Sequence, residues 1–495
     1  MTHTKQFIIM DAPFEKEGFL HIVLDCGKVL SYQRELHIQT GYTMENKVQF
    51  CLLGWAFQAD KDRSDPVEEV RNLSEKQNLE ELLDTWSGRW LLIYGQQIYM
   101  DACGLLGCFY TETGIVSSSL GCLDDALGRR YRNPCLSHGF GLDYYPGMDT
   151  VYADTRRLLP SQTYDFIQKK CGKRSLTSKH FQLQNDEQRI DEIIECFETI
   201  LHNLERTYPG KIMLPLTGGY DSRTMMALLE YSKIRYSAFT MEHGNISSLD
   251  QEAPLKLVEL TGREYQYIRR EGKRNRKSLQ AYDRHCSGMA MDEDRNFFAY
   301  DQYPHSEENI AILRAGVWES VYYTIYNWVD HAGFNVGKYK KKYINIRWRR
   351  DMQTSLEHYF SYVQENPQEL KWPVRFYREQ RVGCWLSSVE QSLTLISKMD
   401  SLQLCNCGCI LGLLSEISPE LLEGKKHEVK IIQKTCPKLL QVTLQNKENK
   451  FRKNSSIEML KKDITYLKNC WNCLDGKGKI KEPLRFIKKK IRRDS

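Results

Sequence analysis

The chain has 495 residues, 41% hydrophobic and 27% charged, a balance ordinary for a globular protein of about two to four domains. No apolar stretch reaches the roughly 18 residues that a membrane helix needs. The start, Met-Thr-His-Thr-Lys-Gln, has no charged-then-apolar signal pattern, so we expect a cytoplasmic protein with its sixteen cysteines reduced. The net charge of +6 belongs to the C-terminus, where residues 476–495 hold nine Lys or Arg against Glu482 and Asp494, leaving the rest near −1.

In chain order, the first 130 residues read as β-rich. Phe19–Leu24, Val48–Leu53, Trp90–Tyr94, Gln97–Met100 and Cys108–Tyr110 are short strand candidates with turn residues between them. A helical pattern at Pro66–Trp86 interrupts them, and Ile115–Leu120 leads into a short helix. Residues 131–185, punctuated by Pro134, Gly139, Gly141, Pro146, Gly147 and Pro160, read as a connector. Helical spacing of Ile190, Ile193, Ile194, Phe197, Ile200 and Leu201 predicts a helix over Asp186–Tyr208 with that face in the core. Strands and helices then alternate. Ile212–Leu216 precedes helix Ser222–Lys233, and Tyr236–Met241 precedes helix Gln251–Leu260, with Gly262 as its cap. Strand Glu264–Ile268, helical material over 278–299, strand Ala311–Arg314 and helix Glu319–Val329 follow. This alternation predicts a parallel sheet with helices on both faces, and ligands bind such sheets at the C-terminal edge. Residues from about 350 to 470 read as helical.

The cysteines mostly stand alone in apolar surroundings, as at Cys51, Cys122 and Cys196, where Cys acts as a small hydrophobe. Cys405, Cys407 and Cys409 alternate, and Cys470 and Cys473 form a C-x-x-C, but no His completes either group, so zinc is not expected. The basic tail reads first as a solvated helix or disorder. Attraction to an acidic membrane surface or to nucleic acid stays open, and Leu484, Ile487 and Ile491, which share one helical face, suit the membrane surface.

The most informative stretch is Lys211–Arg223. An apolar run ends in Thr217-Gly218-Gly219-Tyr220-Asp221-Ser222, and a helical pattern starts at once. Glycines permit a sharp turn and close approach to a ligand. N–H groups at the start of a helix favour an anion. Asp221 cannot pair with an anion directly, so it is a candidate for a divalent cation that bridges phosphates. The Walker spacing is absent. Pro215 cannot donate to a ladder and is expected at the strand's end.

The turn resembles the pyrophosphate loop S-G-G-x-D-S of ATP pyrophosphatases, with Thr217 replacing the first serine. More widely, the chain resembles asparagine synthetase-type proteins. Ser87-Gly88-Arg89-Trp90, Asp101 with Gly104, Phe109-Tyr110 and Ser117–Leu120 are similar to their glutaminase-like domain, and Asp250, Ala253 and Gly262 to the segment after their second strand. Leu313-Arg314-Ala315-Gly316-Val317-Trp318-Glu319 resembles their second metal motif, where the usual aspartate is here Glu319.

The resemblance implies an α+β, Ntn-type, β-sandwich-like domain over 1–130, a connector over 131–185, an α/β Rossmann-like parallel-sheet domain with a helical C-terminal part over 186–470, and a basic tail over 471–495. Family members that use glutamine carry Cys at position two. Thr2 stands here, so the first domain is expected as a scaffold without glutaminase activity. The implied chemistry is ATP-dependent amide formation, in which a carboxylate becomes an acyl-adenylate and an amine or ammonia displaces AMP. Thr217, Gly218, Gly219, Tyr220, Asp221 and Ser222 would hold ATP, Asp221 and Glu319 would hold Mg2+, and Arg223 with Lys426 (or Lys425) would stabilise developing charge. The partners implied are small-molecule or peptide carboxylates and amines, with a homodimer left open. Tyr377, Arg381 and Trp385 form a Y-x-x-x-R-x-x-x-W pattern, whose simplest reading is a stacked pair on a helix. The aromatic run Trp318, Tyr322, Tyr323, Tyr326 and Trp328 reads first as core, with the lining of a pocket for a larger substrate left open. Two alternatives remain open: a nucleotide-binding protein without catalysis, and a pyrophosphate-loop enzyme acting on tRNA.

Overall fold

The computed structural model describes residues 3–42, 48–73, 78–130, 132, 136, 141–177, 183–242, 248–269, 289–291, 309–321, 323–397, 399–442 and 463–467. Thr2, nearly all of the predicted helix 278–299, Cys470, Cys473 and the basic tail lie outside them. No helix among the described residues is long and apolar enough to cross a membrane.

Twelve strands build two antiparallel sheets. In chain order they are β1 (Phe7–Met10), β2 (Phe19–Val23), β3 (Val29–Gln33), β4 (Ile38–Tyr42), β5 (Val48–Gln58), β6 (Trp86–Tyr94), β7 (Gln97–Met100), β8 (Phe109–Thr111), β9 (Val116–Ser117), β10 (Thr155–Arg157), β11 (Gln162–Asp165) and β12 (Lys170–Lys173). One sheet runs β10–β8–β9–β1–β3–β2 and the other β12–β11–β7–β6–β5–β4. Side chains alternate faces along a strand. On β6, Leu91 and Ile93 therefore join Phe7, Ile9 and Leu30 of the facing sheet in one core. Trp86, Trp90 and Leu92 turn the other way, onto Val67, Val70 and Leu83.

Two expectations need correction here. The segment 131–185 is not only a connector, because β10, β11 and β12 lie within it and complete both sheets. These strands are three or four residues long and partly charged, as in Lys170–Lys173, so periodicity gave no signal. The pattern over Pro66–Trp86 is two short helices, Pro66–Arg71 and Leu79–Asp84, followed by β6, each helix capped by the side chain of Asp65 or Asn78.

The third sheet is parallel. Its strands are β13 (Ile212–Pro215), β14 (Ser237–Met241), β15 (Tyr265–Ile268), β16 (Ala311–Leu313) and β17 (Asp400–Leu402), in the order β15–β14–β13–β16–β17. Pro215 closes β13, and the next N–H, from Leu216, donates to the Phe239 carbonyl at 2.8 Å. The helix Asp186–Thr207 buries Ile190, Ile193, Ile194, Phe197, Ile200 and Leu201 against this sheet's core. The fold is thus a mixed α/β one, with two antiparallel sheets and one parallel sheet.

A buried polar seam joins the antiparallel layers to the parallel sheet. Ser87 Oγ donates to the Leu404 carbonyl at 2.6 Å. Asn406 Nδ2 donates to the Gly88 carbonyl at 2.6 Å and to Asp101 Oδ1 at 2.8 Å. Arg89 reaches Gln391 at 2.7 Å, and Lys5 reaches Asp400 at 2.5 Å. Asp101 also accepts N–H bonds from Trp90, Cys103, Leu105 and Leu106. Ser87, Gly88, Arg89 and Asp101 thus tie the antiparallel layers to the segments that flank the last parallel strand.

Two buried histidines give the fold a pH signature. Burial pushes both His3 and His427 down to about 4. The unfolded chain takes up their protons near pH 6.5, before the folded one does, so folding stability is intact above pH 6.5 and falls as pH drops through 4. The expected loss is roughly 3 kcal/mol per histidine. Denaturant titrations between pH 7 and 4 check this, and His3→Gln is expected to flatten the slope.

Candidate functional site

In an open parallel sheet the strand order reverses at one point, and a crevice opens there beyond the carboxyl ends of two neighbouring strands. Here that point lies between β13 and β16, which pair in parallel. Thr217–Ser222 follows β13 and Arg314–Glu319 follows β16, so the topology brings the two sequence motifs to one edge.

The turn after β13 is braced from within. Thr217 N–H donates to Ser222 Oγ at 3.1 Å, the two hydroxyls lie 3.0 Å apart, and Gly219 N–H donates to Thr217 Oγ1 at 3.2 Å. Gly218 N–H donates to Asp250 Oδ1 at 2.8 Å. Asp250, known from sequence only through the resemblance, therefore anchors the turn. Neither glycine needs a left-handed backbone. Gly218 is required by crowding instead, since a Cβ there would lie 2.6 Å from Leu249 Cγ and 3.1 Å from the Leu249 carbonyl oxygen. Gly218→Ala is expected to push the turn off Leu249 at about 1–3 kcal/mol. Chemical denaturation of the variant checks this.

The helix Tyr220–Tyr231 starts at the N-cap Gly219, whose lack of a side chain leaves the first turn without a side-chain cap. Asp221 sits in its first turn, where Lys425 Nζ donates to Asp221 Oδ1 at 2.5 Å. The same ammonium lies 3.9 Å from Glu428 Oε1. Glu428 is fully buried, and burial, then the charge and bonding of Asp221, then the charge of Glu319, push its carboxyl well above the usual range. Thr224 Oγ1 donates to it at 3.5 Å. Asp221 and Glu319 thus both act on one buried acid. Glu319 accepts the hydroxyl of Tyr377 at 3.1 Å. Its neighbour Trp318 is buried and stacks on Phe197 at 5.2 Å between centroids, which fixes the segment.

Two of the residues named from sequence fall elsewhere. Lys426 Nζ is exposed and donates to the Glu420 carbonyl, whereas Lys425 carries the contact with Asp221. Gly424 and Lys425 both have left-handed backbones, and this kink turns Lys425 towards Asp221. Arg223 is also not placed to meet a developing charge. Its guanidinium is buried and donates to the carbonyls of Val442 at 2.6 Å, Leu439 at 3.3 Å and Gly218 at 3.4 Å. It props the turn from behind. Glu428 and Tyr377 were missed as site residues. The spacing of Glu428, three residues after Lys425 at a helix start, was the available signal.

Among the described residues no group of three or more His, Cys, Asp or Glu side chains is arranged to hold a metal ion. Magnesium takes one or two carboxylates and completes its shell with phosphates and water. Asp221 and Glu319 carry hard oxygen donors of that kind. Cys405, Cys407 and Cys409 are buried in the apolar core, with the last two sulfurs 3.3 Å apart. Of the aromatic run, Trp318 is core. Trp328 packs on Tyr339 and Tyr343 under the Lys342 ammonium, 3.8 Å from its ring.

No protein-family model matches the chain, and no curated protein matches it in sequence. Among solved structures, glutamine-dependent NAD+ synthetase from Acinetobacter baumannii, in complex with adenosine diphosphate, is a weak neighbour. It aligns at 11% identity with a TM-score of 0.22, over 57% of this chain and 61% of its own, so this chain spans less than two thirds of that protein. A superposition this loose carries no argument about activity.

Proposed function

We propose that this chain is an ATP-dependent, AMP-forming ligase of the asparagine synthetase type, which makes an amide from a carboxylate and an amine or ammonia without hydrolysing glutamine. The observation that supports it is the position of the Thr217–Ser222 turn and of Glu319 at the reversal point of the parallel sheet, where Asp221 and Glu319 both help to push the buried Glu428 carboxyl upward. A carboxylate alone is a poor acyl donor, because its leaving group is oxide. Attack of its oxygen on the α-phosphorus of ATP gives an acyl-adenylate and pyrophosphate. An amine nitrogen then attacks the acyl carbon, AMP leaves with the C–O electron pair, and the nitrogen loses a proton.

In this reading the turn and the first N–H groups of the Tyr220–Tyr231 helix hold the β- and γ-phosphates. Asp221 and Glu319 would hold Mg2+, which when bound would neutralise phosphate charge. Lys425 follows the charge that passes to pyrophosphate, and Tyr377 fixes the rotamer of Glu319. The antiparallel sheets serve as a scaffold, the retained form of a glutaminase-like domain.

ATP–pyrophosphate exchange over a panel of carboxylates tests the proposal. Exchange dependent on both carboxylate and Mg2+ is the expected result. Its absence with every carboxylate favours the second reading, a nucleotide-binding protein without catalysis. The Lys425 ammonium on Asp221, where a cation would otherwise sit, is the observation on that side. Within the first reading, Lys425→Ala is expected to lose at least tenfold in exchange and Lys426→Ala to keep wild-type rates. Tyr377→Phe is expected to lose about 1 kcal/mol, or five- to tenfold, in kcat/KM.

A further inference from the structure

The segment Tyr377–Leu386 is a π-helix of ten residues, a rare conformation that recurs at functional sites. Three arginines lie on it or just before it, and they differ in environment. Arg375 and Arg378 are buried. Arg375 pairs with Glu379 at 3.1 Å, and Arg378 donates to the Leu176 carbonyl at 3.2 Å. Both hold the fold together. Arg381 keeps about a third of its side chain exposed (34%). Its guanidinium lies 3.6 Å from the centroid of the Trp385 ring. Its two bonds to Asp143, at 2.8 and 2.9 Å, both leave Nη1. Trp385 is in turn fixed by a 2.8 Å bond from its indole N–H to the Met291 carbonyl.

A flat guanidinium stacked on one face and clamped through one nitrogen is preorganised. Its Nε–Nη2 edge is bonded to no other described residue, and that edge matches a carboxylate through two parallel N–H bonds. The position suits a substrate. Tyr377, one helical turn earlier, bonds to Glu319 and lies within electrostatic reach of Arg381. Arg381 thus lies on the same helix as the hydroxyl that holds Glu319.

We propose that Arg381 binds the carboxylate of the acyl-donor substrate on its Nε–Nη2 edge, with Trp385 and Asp143 as its positioning residues. The inference rests on the ligase reading for the identity of the ligand and on the guanidinium geometry for its place. A structural ion pair would need neither the stacking nor the exposed edge.

Two experiments separate the outcomes. Saturation-transfer NMR with benzoate and succinate measures carboxylate binding without catalysis. Arg381→Met is expected to weaken binding at least tenfold, and Lys426→Ala to leave it unchanged. In ATP–pyrophosphate exchange, Arg381→Lys is expected to raise KM for the carboxylate at least tenfold while KM for ATP stays within twofold. It keeps the charge and loses the fork. Equal binding of both probes by wild type and Arg381→Met overturns the proposal, as does no binding of either probe by the wild type. Parallel rises in both KM values in Arg381→Lys also overturn it, since a merely structural arginine would disturb both substrates. Carboxylate binding that depends on Arg381, without any exchange, sinks the ligase reading and leaves the anchor standing.

Discussion

Asp221→Ala is expected to abolish pyrophosphate exchange, with a loss of at least about a hundredfold, and to leave the fold intact. Asp221 is the acid that meets both Lys425 and Glu428. In the ligase reading, its loss would take from Mg2+ one of two carboxylates and from the phosphates their nearest fixed reference. The fold survives because the Lys425 ammonium already lies 3.9 Å from Glu428 and can close on it. Removing a neighbouring negative charge also relieves the buried Glu428 carboxyl. Asp221→Asn serves as the isosteric control and is expected to be nearly as inactive. Full exchange activity in either variant removes Asp221 from the mechanism. Unchanged far-ultraviolet circular dichroism and thermal midpoint show that the loss lies in chemistry and not in folding.

Glu379→Ala carries the largest expected effect on stability. Glu379 is fully buried and accepts bonds from Arg375 Nε at 3.1 Å, from the Tyr359 hydroxyl at 2.7 Å and from Ser161. Its removal leaves the Arg375 guanidinium, itself buried, without a counter-charge, and such a loss costs about 3–5 kcal/mol. Chemical denaturation reads the effect directly. Arg375→Met with Glu379→Leu removes both charges and is expected to recover much of the stability, because an apolar pair of similar volume needs no compensation. A single variant as stable as the wild type would show that water already solvates the pair.

What could be read in the sequence divides along physical lines. The helix Asp186–Thr207 and strands β13 to β16 were legible because burial on one side or both imposes a period or an apolar run. The order strand, glycine turn, acid, helix placed Asp221 and Ser222 for the same local reason. Strands β10 to β12 were not legible, because edge and short strands owe their form to partners far away in the chain. The choice between Lys425 and Lys426 was also hidden. It depends on a left-handed kink at Gly424 and Lys425, and sequence gives that geometry no mark when the second residue is a lysine. Arg223 looked available for chemistry because nothing local shows that the carbonyls of Leu439 and Val442, over 200 residues later, surround it. Glu428 and Tyr377 enter the site by tertiary contact alone.

The seam around Ser87, Arg89, Asp101 and Asn406 has a consequence for how this protein comes apart. Each layer there supplies what the other lacks, so neither half has a finished surface of its own. Cutting the chain after 185 would expose a face of unanswered donors and acceptors, and the N-terminal piece should precipitate instead of behaving as a free module. In calorimetry the intact chain should melt in one transition spanning all three sheets.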